Sequence, residues 1–156
     1  MIIIQDNFLT EKETSYLLKL WGKGRVGFSS EIIRFFAMDL KNSNFDISCI
    51  QNGIFEKKYF HKIRLQKYNE EFDQIEEFHG HENIHNYIVF LNDNFSGGEL
   101  EFENGSIVKP KKGSLVYFNN NERHRVKKCI GDRFVFTALG DIQADIKWQI
   151  KIKNLI

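Results

Sequence analysis

The chain is poor in cysteine, poor in proline and carries no surplus of either charge. Its two cysteines, Cys49 and Cys129, lie far apart and form no CxxC pair. That disfavours a disulfide framework or a thiolate zinc site, and it fits a reducing compartment. Lysine and arginine total 22 against 21 acidic residues, a formal net charge of +1. The concentrated basic surface on which a dedicated nucleic-acid binder depends is missing. The lysines of KPKKG and of residues 127–128 read instead as solvated hairpin tips. No apolar run reaches membrane-spanning length, and the opening MIIIQDNF is too short for a signal-peptide core. The expectation is a soluble, cytoplasmic protein with no membrane partner. A single proline, with no repeat, low-complexity tract or linker, makes residues 1–156 one domain.

What the chain does have is apolar bulk. Apolar residues make up 42 % and aromatics 14 %, with 15 Phe, enough for a packed core. Ile2, Ile3 and Ile4 suggest a short strand at a sheet edge. Thr10 followed by Glu13 is a capping-box spacing, and Leu17, Leu20 and Trp21 then share one helical face before Gly22 and Gly24. Residues 31–40 (EIIRFFAMDL) are apolar without a period that decides between helix and strand. Residues 51–61 are compatible with a helix despite Gly53. From there the signal turns to β. Residues 62–68 alternate, and residues 69–77 form an acidic loop toward the histidines. Strands follow at 84–91, 99–102, 115–118, 125–127 and 133–139, separated by Asn-Asp, Gly-Gly, Lys-rich and Gly-Asp turns. Ile146, Trp148, Ile150 and Ile152 alternate with polar residues, which predicts a final strand. The class is mainly β (α+β), a sandwich or barrel with helices at the N-terminal side.

The chemistry-bearing residues cluster. His79 and His81 are two apart and share a face on extended chain, so both can meet one metal ion completed by His124 from a neighbouring strand. Imidazole suits iron, zinc, copper and nickel alike. His85 and His61 read as structural. Arg133 opens the apolar strand RFVFTAL, where a guanidinium that points inward needs an anion, and its planar fork fits a carboxylate. A metal beside a carboxylate anchor is what a bidentate keto-acid requires.

The run FLNDNFSGGELEF, followed by KPKKGSLVYF, HRV and GDRF, resembles the catalytic core of the iron(II)/2-oxoglutarate-dependent dioxygenases, prolyl 4-hydroxylase-like branch. QDNFLTEKE and KIRLQKYN are similar to the same branch, and only the stretch near residues 25–60 is poorly covered. The resemblance implies a double-stranded β-helix (jelly roll) with N-terminal supporting helices. It also implies Fe(II) held by a His-x-Asp/Glu motif and a distal histidine. By position His79 is the first ligand, His124 the distal one, and Arg133 grips the far carboxylate of 2-oxoglutarate. Tyr68 falls where the family often has a cosubstrate-contacting tyrosine, and Thr137 is placed to face the same pocket.

One departure stands out. Where the family carries its acid, this chain has His81, with Glu82 next. A bulge can bring Glu82 to the metal, or His79, His81 and His124 can form a three-histidine site. Alternatively His81 is itself the first ligand, with Asn83 in the acid position, which shortens the loop to Leu91 further. The implied reaction is decarboxylation of 2-oxoglutarate to succinate coupled to hydroxylation, with ascorbate as a possible reductant. A protein or peptide side chain is the first substrate to consider. The competing readings are a catalytically degenerate binding module on the same fold, and a three-histidine cupin-like dioxygenase.

Overall fold

Short apolar runs broken by turn residues fold here as twelve strands and two helices among the described residues. The structure is a computed structural model that describes residues 1–28, 35–71, 77–80, 84–119 and 122–155, the side chains of 152, 154 and 155 excepted. In chain order the elements begin with β1 (Ile2–Gln5), α1 (Glu11–Leu20), β2 (Val26–Phe28) and β3 (Phe36–Asp39). Single 3-10 turns at Ile50–Gly53 and Lys57–Tyr59 lead to β4 (Phe60–Tyr68) and β5 (His85–Phe90). Next come β6 (Ser96–Gly97), β7 (Leu100–Phe102), β8 (Ile107–Val108) and β9 (Leu115–Asn119). The chain ends with β10 (His124–Val126), β11 (Cys129–Ile130), β12 (Arg133–Gly140) and α2 (Ile142–Leu155).

Seven strands form one antiparallel sheet in the order β1-β9-β5-β12-β4-β3-β2. A smaller sheet, β10-β7-β8, and a ribbon, β11-β6, pack over one of its faces. This is a jelly roll. Phe136, Ile63, Tyr87 and Leu115 look out of the large sheet toward the helices. Val135, Tyr68, Phe90, Val116 and Phe118 look into the barrel, against Leu100, Phe102 and Val108 of the small sheet. Strand β12 is therefore apolar on both faces, which explains why it reads as a continuous hydrophobic run rather than an alternating one.

Helix α1 starts as its cap dictates. Thr10 Oγ1 accepts from Glu13 N at 3.1 Å, and Glu13 Oε1 accepts from Thr10 N at 2.9 Å. The ambiguous apolar run resolves into β3 at its C-terminal part, while residues 31–34 lie outside the described residues, as do 72–76 of the acidic loop. The helix expected over 51–61 does not form. Gln51 and Asn52 take φ of 47° and 55°, and left-handed residues cannot continue a right-handed helix.

The C-terminal strand is also corrected, to helix α2. Asp141 Oδ1 accepts from Gln143 N at 2.9 Å and Ala144 N at 3.1 Å, closing a helix N-terminus that alternation alone does not reveal. Ala144 and Asp145 then turn inward and are buried, whereas Ile142, Ile146 and Ile150 stay exposed. Trp148 packs against Tyr87, 4.8 Å between ring centroids, and stacks on Tyr117 at 6.2 Å. Tyr87 Oη donates to Asp145 at 2.8 Å, which pins the helix to β5.

The two assignments differ in which residues share a face. In urea unfolding, Trp148→Ala is expected to cost on the order of 3 kcal/mol. Ile150→Asp, on the outward face, is expected to change stability by less than about 0.5 kcal/mol. Equal losses at both positions would restore the strand.

Candidate functional site

His79 and His124 are brought together by the backbone itself. They form an isolated antiparallel bridge. Each residue's N–H donates to the other's carbonyl at 2.9 Å. This adds the segment around His79 to the small sheet beside β10, whose other neighbour is β7, with His124 opposite Phe102. The two imidazole rings lie 4.3 Å apart between centroids, at 58° to each other. Phe118 packs edge-on against the His124 ring at 4.5 Å, so His124 is buried toward the barrel interior.

The tautomers follow from the same geometry. His79 Nδ1 lies 3.2 Å from Glu77 O, and His124 Nδ1 lies 3.1 Å from Glu122 O. A carbonyl only accepts, so each Nδ1 carries the proton and each neutral ring has its lone pair on Nε2. Imidazoles that hold a metal through one nitrogen while donating through the other are arranged in this way. His79 and His124 are thus the described imidazoles that would hold a shared ion.

Two arginines that the sequence reading passed over hold this pair in place. Arg123 donates to Phe78 O at 2.8 Å and also bonds Glu103. The Arg125 guanidinium sits 4.1 Å from the Phe78 ring centroid while its Nε donates to Glu101 at 2.7 Å. Arg123 and Arg125 thus hold Phe78, the residue before His79, by its carbonyl and by its ring. The signal for it was the RHR triplet itself, which is silent until Phe78 is known to lie alongside.

Arg133 is 1 % exposed at the start of β12, and its Nε donates to Gly98 O at 2.9 Å. Its guanidinium carbon lies 5.0 Å from the ring centroid of Tyr68 and 5.3 Å from that of Phe90. Tyr68 is buried directly opposite it on β4. Thr137 lies two alternations further along β12 on the same interior face, opposite Arg64 and Ile88. Burial pushes the neighbouring Cys129 thiol up, with Arg133 opposing.

The structure therefore brings His79 beside His124, and Tyr68 beside Arg133. Residues 81–83, which carry His81, Glu82 and Asn83, lie outside the described residues. Among the described residues no group of three or more histidine, cysteine or carboxylate side chains is arranged to hold a metal. His85 belongs elsewhere: its parity on β5 turns it to the helix side, where Nδ1 meets Tyr117 Oη at 2.8 Å. His61 is exposed near Asp141. Both are outside the candidate site, as expected.

One jelly roll thus holds two imidazoles side by side across a backbone bridge and a guanidinium buried in the same barrel. A model of the 2OG-Fe(II) oxygenase superfamily matches residues 59–139, just over half of the chain, and the chain belongs to that superfamily. Its members are Fe(II)- and 2-oxoglutarate-dependent dioxygenases, and this chain is one by class. No curated protein matches. Among solved structures it is similar to a 2OG-Fe(II) oxygenase-family oxidoreductase from Burkholderia pseudomallei, with TM-score 0.73 and 11 % identity over 90 % of this chain and 85 % of that one. A prolyl-4-hydroxylase from Pseudomonas putida gives 0.69 and 16 %, over 90 % and 91 %. A prolyl hydroxylase from Trichoplax adhaerens, in complex with a hypoxia inducible factor peptide fragment, gives 0.67 and 17 %, over 92 % and 84 %. At these identities the structures attest the fold. No helix among the described residues is long and apolar enough to cross a membrane.

Gly98 positions Arg133 by what it lacks. It has φ +72°, and an added Cβ would meet Arg133 Cδ at 2.8 Å and Phe95 at 3.0 Å. At Gly105, φ +94°, an added Cβ meets nothing within 4 Å. Gly105→Ala should cost only the left-handed penalty, about 1–2 kcal/mol. Gly98→Ala should cost at least about 1 kcal/mol more, read from the two urea midpoints.

Proposed function

We propose that this protein hydroxylates an organic substrate while converting 2-oxoglutarate to succinate, with His79, His124 and Arg133 as the working residues. The observation that carries the reading is the pair of rings 4.3 Å apart, each with an Nδ1–H···O=C contact that puts the lone pair of a neutral ring on Nε2. His79 and His124 would hold Fe(II), with the third donor from residues 81–83, either His81 or Glu82. The iron would supply the activation of O₂ coupled to decarboxylation, chemistry that belongs to the cofactor rather than to the side chains.

The chain's own contribution is binding, orientation and exclusion of water. Arg133 grips the far carboxylate of 2-oxoglutarate. Its Nε is fixed on Gly98 and its faces rest on Tyr68 and Phe90, so the fork is aimed before the ligand arrives. Tyr68 and Thr137 complete the cosubstrate pocket, and ascorbate serves as the external reductant. The first substrate class to test is a protein or peptide side chain, following the peptide complex of the Trichoplax enzyme. Two unpaired cysteines accord with a cytoplasmic setting.

The test is an anaerobic absorbance titration with Fe(II) and 2-oxoglutarate. Wild type is expected to develop a visible metal-to-ligand charge-transfer band. His124→Ala should abolish it, and Arg133→Ala should weaken 2-oxoglutarate binding at least about tenfold, or roughly 1.4 kcal/mol. His81→Ala and Glu82→Ala identify the third donor by which of them loses the band. A folded wild type that takes up no Fe(II) would sink the proposal in favour of a binding module.

A further inference from the structure

A second guanidinium stands inside the barrel, and the proposed site gives it no task. Arg64 lies on β4 directly opposite Thr137 of β12, so it shares the interior face with Gln66, Tyr68 and Arg133. Its guanidinium carbon sits 5.3 Å from the ring centroid of Phe35. Phe35 in turn packs on Tyr68, 5.3 Å between centroids, and Tyr68 carries Arg133 at 5.0 Å. Two guanidinium groups therefore flank a two-ring stack, Arg133 toward β12 and Arg64 toward β3.

Arg64 is poorly provided for. Its Nε is buried with no hydrogen-bond partner among the described residues, and so is Thr137 Oγ1 opposite it. Asp39, its register neighbour on β3, directs its carboxylate at the backbone of Lys41 and Asn42 and at the Asn42 amide. Burial pulls the guanidinium pKa below its usual value, as desolvation of a cation does, with Tyr68 and Asp39 opposing. Directly opposed residues on an antiparallel pair have Cβ atoms about 4.5–5.5 Å apart. Thr137 belongs to the cosubstrate pocket, so the Arg64 Nε–H stands next to that pocket as a buried donor for a second ligand.

We propose that Arg64 anchors a carboxylate of the substrate that is oxidised, beside the cosubstrate pocket that Thr137 lines. This inference rests on the proposed function. 2-Oxoglutarate has two carboxylates, one assigned to Arg133 and one to the metal, and has none left for Arg64. The anion must come from a second molecule. A single guanidinium balances one charge, which selects a carboxylate over a phosphate dianion. The planar fork matches it in geometry, and the Phe35 ring offers an apolar rest for the body that carries it.

The experiment loads the protein with Mn(II), an O₂-inert stand-in, and 2-oxoglutarate, then measures Mn(II)-induced broadening of probe proton lines. One probe pair is phenylacetate and phenylacetamide, for a small acid. The other is N-acetylaspartate amide and N-acetylasparagine amide, for an acidic side chain. In at least one pair, wild type should bind the acid at least tenfold more tightly than its amide. Arg64→Gln should erase that preference and Arg64→Lys retain part of it. Arg64→Gln should leave 2-oxoglutarate affinity within twofold. In metal-free protein Arg64→Met should raise Tm, because a partly desolvated cation with an unbonded Nε–H is removed. An acid preference that survives Arg64→Gln overturns the proposal, as does no preference in either pair. A tenfold loss of 2-oxoglutarate affinity, or a fall in Tm, also overturns it. If wild type takes up neither Mn(II) nor 2-oxoglutarate, the parent reading fails instead. Saturation transfer to the same probes on metal-free protein then decides the role of Arg64.

Discussion

The constraint on which the structure depends is that β12 is saturated. Both of its edges are paired, with β4 and β5, and both of its faces are covered. A strand in that position has no solvent to turn to, so each polar side chain on it must be answered by the protein or by a ligand. Arg133 is answered in part by Gly98 O and two aromatic faces. The rest of the barrel can be seen as built to keep that one charge aimed. Phe90 and Tyr68 come from the two flanking strands, and the Gly97–Gly98 turn lets the chain pass close enough to accept its Nε–H.

The site is assembled by pairings of different kinds. Arg133, Tyr68 and Thr137 are set by long register in the large sheet, which tolerates little slippage because a shift of one residue would turn every side chain to the other face. His79 and His124 depend on a single bridge reinforced by Arg123 and Arg125 through Phe78. The anchor end is rigid by topology. The imidazole end is held by a local clamp, and the segment that follows His79 carries the departure from the family pattern.

What the sequence revealed was whatever its signals decide locally. The capped helix at Thr10 was legible because both halves of the cap lie within three residues. The strands from 62 onward were legible because their turns carry glycine, asparagine or lysine. The C-terminal helix was not, because residues spaced two apart are also spaced four apart. Ile146 and Ile150 satisfy both periods, and the contacts of Asp141, Asp145 and Trp148 separate them. The left-handed backbone at Gln51 and Asn52 carries no glycine and so no warning. His79, His124 and Arg133 became candidates by spacing and family resemblance, whereas Arg64 was seen only as one side of an alternating strand. Its meaning needs the fold, since nothing in KIRLQKY says that Phe35 and Thr137 will meet it.

The carbonyls that fix the two tautomers, Glu77 O and Glu122 O, each lie two residues before the imidazole they orient. The His79–His124 bridge sets the two rings side by side, so strand pairing and the proposed ligand chemistry would be one event. If the His79–His124 bridge frays, both rings lose their partner strand and the alignment of both lone pairs together. By linkage, an ion that holds both rings is a fastener for that edge of the small sheet. Its affinity would contain the cost of closing the edge. The local opening of the edge, rather than any bond-breaking at a single ring, would set how fast the ion leaves.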